Sequence, residues 1–153
     1  VKVRCWGARG SIPVSGAEFL RYGGDTSCLE VRSKNDEVLI LDAGTGIRAL
    51  GCELMRQERH SLTLLFSHYH WDHVQGLPFF KPLYNPQTSL RLGGNRGARG
   101  ELARLLARAL RPPLFPVPFD KVPADVGTVF FEDEILRVDS LCVRRIAASH
   151  PNR

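Results

Sequence analysis

The sequence predicts an α/β domain with a covered sheet and a ligand site at the sheet's rim. Three observations lead there. Strand-period alternations and short apolar runs recur along the 153 residues. Two segments between them, Ile47 to Gln57 and Glu101 to Leu110, carry apolar residues at helical spacing. Directly after the most apolar run, Ser61 to Phe66, comes His68-Tyr69-His70-Trp71-Asp72-His73, with three imidazoles and a carboxylate within one short stretch. In layered α/β proteins, ligands gather at the loops that leave strand ends.

The elements follow in order. Val1 to Trp6 alternates apolar and polar residues and reads as a strand. Gly7 to Tyr22 is a long connection, and Gly23-Gly24-Asp25 marks a turn. Ser27 to Arg32 resumes the alternation. Glu37 to Leu41 is a mostly apolar strand that meets Asp42-Ala43-Gly44-Thr45-Gly46. Ile47, Leu50, Leu54 and Met55 share one helical face. Ser61 to Phe66 has too few polar positions for a wet face, so it reads as a strand covered on both sides. Asp72 is expected to cap a helical turn beginning near His73, with Pro78 and Pro82 limiting it. Thr88 to Leu92 reads as a strand and Gly93-Gly94-Asn95-Arg96-Gly97 as a flexible turn. The helix from Glu101 to Leu110 buries Leu102, Leu105, Leu106 and Ala109 and ends at Pro112-Pro113, before an extended stretch to Pro118. Val129 to Phe131, Ile135 to Val138 and Leu141 to Ala147 read as strands. No repeat or linker interrupts residues 1–153, so one domain is expected.

An apolar fraction of 43% suits a soluble fold with a real core, and no run approaches a membrane span. The start of the chain lacks the apolar core of a signal peptide, so a cytoplasmic location and no membrane partner are expected. The net charge of +5 fits an anionic partner or simply a solvated basic surface. Arg96, Arg99, Arg104, Arg108 and Arg111 read as a wet helix face rather than a nucleic-acid platform. Gly93 to Gly100 lacks the ending of a phosphate loop. No C-x-x-C pair occurs, which argues against a cysteine zinc ribbon. Cys28 and Cys142 are expected to be buried thiols, and His60 to face solvent.

The cluster at 68–73 is the chemical signal. Imidazole nitrogens suit zinc and iron, and carboxylates suit harder or bridging roles. His68 and His70, two apart on an extended loop, can face one centre. Asp72 and His73 can serve a second centre nearby. Paired metals clamp the attacking and leaving oxygens of a displacement. The competing reading is a histidine-rich surface loop with no ion.

With these residues in view, the chain resembles the metallo-β-lactamase fold superfamily through Ser67-His68-Tyr69-His70-Trp71-Asp72-His73. Asp42 matches the family's first motif, an aspartate at a strand end that supports the metal site without ligating. Trp6-Gly7-Ala8-Arg9-Gly10-Ser11-Ile12-Pro13 and Tyr22-Gly23-Gly24-Asp25-Thr26-Ser27 look like the phosphodiesterase-type branch, which includes cyclic phosphodiesterases and tRNA 3′-processing endonucleases. His150, in Ser149-His150-Pro151-Asn152, looks like that branch's third motif. The resemblance implies an αββα sandwich, of which this chain supplies the first half and the start of the second. It also implies a first centre of His68, His70 and His150, and a second that includes Asp72 and His73. A bridging Asp and a last His come later in the family, whereas only Asn152 and Arg153 follow His150 here, so an incomplete copy is expected.

The implied activity is hydrolysis of a phosphodiester (a cyclic nucleotide, a small diester or RNA) by water activated between two divalent ions, zinc or manganese. Asp72 would ligate and orient that water. Hydrolysis of an ester, thioester or lactam on the same fold is the alternative, and a metal-binding module without turnover is a third reading. A small-molecule phosphodiester or RNA is the expected partner. An exposed sheet edge would also favour a second copy of the chain.

Overall fold

The computed structural model describes residues 1–95 and 99–150. Six strands form one mixed sheet in sequence order, from β1 (Lys2–Gly7), β2 (Cys28–Arg32) and β3 (Val38–Leu41) to β4 (Ser61–Phe66), β5 (Ser89–Asn95) and β6 (Asp125–Phe131). The first three pair antiparallel, whereas β3 through β6 run parallel. Parallel neighbours need crossovers. These are supplied by α1 (Ile47–Arg56), by α2 (Trp71–Val74) with the 3-10 turns after it, and by α3 (Arg99–Ala109). A hairpin of β7 (Ile135–Val138) and β8 (Leu141–Arg144) forms a second, two-stranded sheet.

Side-chain alternation explains the layers. Val38 and Ile40 of β3 and Leu62, Leu64 and Phe66 of β4 face the helices, where they meet Ile47, Leu50, Leu54, Leu102 and Leu106. Leu39, Leu65 and Phe131 point the other way and pack on Val138 of the hairpin. Both faces of β4 are therefore covered, which is why its sequence shows almost no alternation. One helical layer, the sheet, and the first hairpin of a second sheet make the α/β architecture expected for the first half of an αββα sandwich and the start of its second.

Several boundaries differ from expectation, each for a physical reason. Gly93, Gly94 and Asn95 continue β5 rather than forming a turn. A Cβ at Gly93 would lie 1.4 Å from the carbonyl oxygen of Val129 on β6, so this glycine answers close strand approach. Arg96 and Gly97 of that expected turn lie outside the described residues. β6 starts four residues earlier than Val129, because Asp125 to Thr128 continue its pairing with β5. β8 ends at Arg144, short of Ala147. Asp72 sits inside the first turn of α2, with His70 at the capping position. Cys28 is buried, but Cys142 is exposed on the outer face of the hairpin. His60 is half-buried rather than solvent-facing, and its carbonyl accepts from the Ser89 N–H at 2.8 Å. Among the described residues no helix is long and apolar enough to cross a membrane.

Candidate metal centre

The parallel strands β3 and β4 end side by side, and the centre grows from both ends. Asp42, the first residue past β3, is buried and takes a left-handed backbone conformation (φ 64°). Aspartate tolerates that region better than most residues, because its short carboxylate can bond locally. Here it turns toward the end of β4. The Ser67 N–H donates to Asp42 Oδ1 at 2.8 Å, and Ser67 Oγ lies 2.9 Å from both carboxylate oxygens. Ser27 Oγ donates to Oδ2 at 3.2 Å, and His73 Nδ1 stands 2.8 Å from the same oxygen.

The loop after Asp42 is fastened to α2 through its backbone. Ala43 N–H donates to the His73 carbonyl at 2.7 Å, and Gly76 N–H donates to the Ala43 carbonyl at 2.9 Å. A Cβ at Gly76 would stand 2.1 Å from the Gly44 carbonyl oxygen, a backbone atom with no room to give. Gly76→Ala is therefore expected to destabilise the fold by about 2 kcal/mol, in the range of overpacked sites, and a lower thermal midpoint would show it.

One carboxylate thus orders two imidazoles. Asp42 is acceptor-only when ionised, so His73 presents Nδ1–H to it and keeps its Nε2 lone pair for a ligand. Ser67 has a single hydrogen to donate, which Asp42 takes. The Ser67 oxygen, 3.0 Å from His68 Nδ1, then accepts from that nitrogen and leaves the His68 Nε2 lone pair outward. That Nε2 is buried without a hydrogen-bond partner, a costly state unless a ligand completes it. Burial, reinforced by the neighbouring His73, His150 and His70, lowers the His68 pKa and keeps the ring neutral, the form that ligates. The Asp42 hydrogen bond, partly opposed by burial, raises the His73 pKa.

Ligand atoms of His68, His70 and His150 all lie within 4.8 Å of one another. The His150 ring centroid is 4.5 Å from that of His68 and 4.8 Å from that of His70, although a long sequence separates it from the cluster. His73 adjoins the group, with its ring centroid 4.1 Å from that of His68. Asp72 Oδ2 sits 3.6 Å from His73 Nε2 and accepts from the Ser11 N–H at 2.9 Å. Burial alone would raise the Asp72 carboxyl, but the Ser11 hydrogen bond and the nearby His73 outweigh it and hold the group below its usual range. All five residues expected at the site therefore meet at one place. Three imidazoles with one orphaned nitrogen, beside an ionised carboxylate, form a donor set that fits divalent cations of the zinc type.

Sequence reasoning gave no role to Ser67, Ser27 or Ser11. Ser67 was visible only as the neighbour of His68, and Ser11 contributes backbone alone. A cleft of about 1060 Å³ opens beside the imidazoles, lined by Trp71, Phe79 and Phe115 and by Glu101, Arg104 and Arg108 of α3.

Clustered histidines and an aspartate at the carboxyl rim of a half-parallel sheet, open to such a cleft, make a candidate metal centre with room for a ligand beside it. Residues 21–139 match the Metallo-beta-lactamase superfamily, and the chain belongs to it. Members are metal-dependent hydrolases whose fold binds divalent ions, generally two. His150 lies beyond the matched segment. Among solved structures, a diphosphatase from the PhnP family is similar over 89% of this chain and 53% of its own, with a TM-score of 0.57 and 15% identity. The B3 metallo-beta-lactamase BLEG-1 is similar over 94% of this chain and 59% of its own, with a TM-score of 0.50 and 18% identity. The chain thus spans little more than half the length of these neighbours, and at such identity they speak for the fold alone. No curated protein matches the sequence significantly.

Proposed function

We propose that this protein hydrolyses phosphodiesters at a two-metal centre, with His68, His70 and His150 holding one divalent ion and Asp72 and His73 contributing to a second. The observation that carries the reading is the convergence of His150 on His68 and His70 beside an ionised Asp72. The phosphodiester is favoured by the segments Trp6 to Pro13 and Tyr22 to Ser27, which resemble the phosphodiesterase-type branch and which reach the site through Ser11 and Ser27.

Divalent ions held here supply Lewis acidity, which brings water's pKa toward neutrality and offsets charge on phosphoryl oxygens. The chain's own groups do the positioning. Asp42 and Ser67 fix the tautomers of His73 and His68. Asp72 accepts a hydrogen bond from the attacking water and aims it at phosphorus.

Chelated protein supplied with zinc or manganese is expected to cleave bis-p-nitrophenyl phosphate, and to lose that turnover on renewed chelation. Cephalosporin and thioester substrates run in parallel decide the bond. Turnover of either of these, with none of any phosphodiester, would overturn the assignment.

A further inference from the structure

The cleft is larger than a single diester group requires and has room for a ligand of nucleotide size. Part of its wall is α3, where Arg104 and Arg108 stand one helical turn apart. Leu102, Leu106 and Leu110 carry the packing of that segment and are buried, whereas both arginines are exposed. The helix therefore has no structural need of the two guanidiniums. Glu101 is the acid on the same stretch, and two positive charges against one negative leave this wall cationic.

The same cleft holds exposed aromatic surface. Phe79 is 60% exposed and meets Phe115 edge-on, with ring centroids 5.7 Å apart. Aromatic rings left in water beside a charged wall suit a planar ligand that also carries charge. Arginine forks match phosphate oxygens in a bidentate fashion, and base–aromatic stacking tolerates any base.

Resting on the phosphodiester reading above, we infer that Arg104 and Arg108 hold a second phosphate of the substrate while Phe79 and Phe115 receive a base. The substrate class is then a nucleotide that bears a phosphate apart from the diester that is cut. The two arginines are specificity residues, remote from the bond that breaks.

Calorimetric titration of thymidine 3′,5′-bisphosphate, thymidine 5′-monophosphate and inorganic phosphate into the protein tests this. The bisphosphate is expected to bind about tenfold more tightly than the monophosphate, as one charge-assisted pair at a half-open site allows. Arg104→Gln/Arg108→Gln should erase that preference. Arg111→Gln, which removes a charge outside this cleft, should preserve it. Phe79→Ala should weaken both nucleotides by about tenfold relative to inorganic phosphate. Equal affinity for the two nucleotides, or a preference that survives the double substitution, overturns the inference. Turnover of thymidine 5′-(p-nitrophenyl phosphate) separates the two readings. A nucleotide preference without turnover sinks diester hydrolysis but keeps the binding assignment, and turnover without preference does the reverse.

Discussion

His150→Ala is expected to lower zinc affinity by more than about a hundredfold. Loss of a supporting group beyond the ligands already costs ten- to a hundredfold, and His150 is here a ligand itself. His68 and His70 come from the loop after β4, and the third nitrogen within 4.8 Å comes from His150. The other imidazole beside the group, His73, is turned toward Asp42 and Asp72 and so toward the second ion of the proposed pair. Competition against a chromophoric chelator gives the affinity, with His60→Ala as a control that removes an imidazole outside the group. Equal zinc affinity in the wild type and His150→Ala would remove His150 from the centre.

Asp42→Asn is expected to cost about 3 kcal/mol of stability and to weaken metal binding ten- to a hundredfold. Asparagine keeps the volume and accepts the left-handed backbone, so the change isolates the chemistry. Its amide, however, offers one acceptor where four donors converge, and it brings an N–H₂ against hydroxyls and His73. Chemical denaturation and the same zinc competition measure both effects. The pH dependence adds a third readout. Because its partner raises the folded-state value of His73, the metal-free stability it contributes is complete below pH 6.5 and lost as pH rises through that folded value. His68, lowered by burial, works in the opposite sense, with its share present above pH 6.5. The stability difference between wild type and Asp42→Asn should therefore be larger at acid than at alkaline pH. A pH-independent difference would break the assigned Asp42–His73 pair.

Where local pattern and tertiary demand agreed, the sequence was readable. β4 could be recognised because its doubly covered position leaves a nearly unbroken apolar run, and the strand runs from Ser61 to Phe66 as expected. The face of α1 was legible from Ile47, Leu50 and Leu54 alone. Gly93 and Gly94 misled because glycine marks both turns and close strand approach, and nothing local tells the two apart. Cys142 misled because β8 lies in an uncovered hairpin, where one face of the strand stays in solvent. At the site, the ligand types could be read from their clustering. The Ser67 relay could not, since a serine before a histidine carries no spacing signal. The role of α3 was legible only as an amphipathic helix, because which edge of its polar face meets a cleft depends on the placement of neighbouring loops.

His150 joins a group otherwise formed within a few consecutive residues, so an ion bound there acts as a clasp between the segment after β4 and the segment after β8. Such a clasp shuts a long loop, the case in which cross-linking removes the most freedom from the unfolded chain. Ion binding would then do more than equip the site for chemistry. It would rivet the β7–β8 hairpin and the segment after it onto the sheet, so that chelation loosens that region first and hydrogen exchange there reports occupancy.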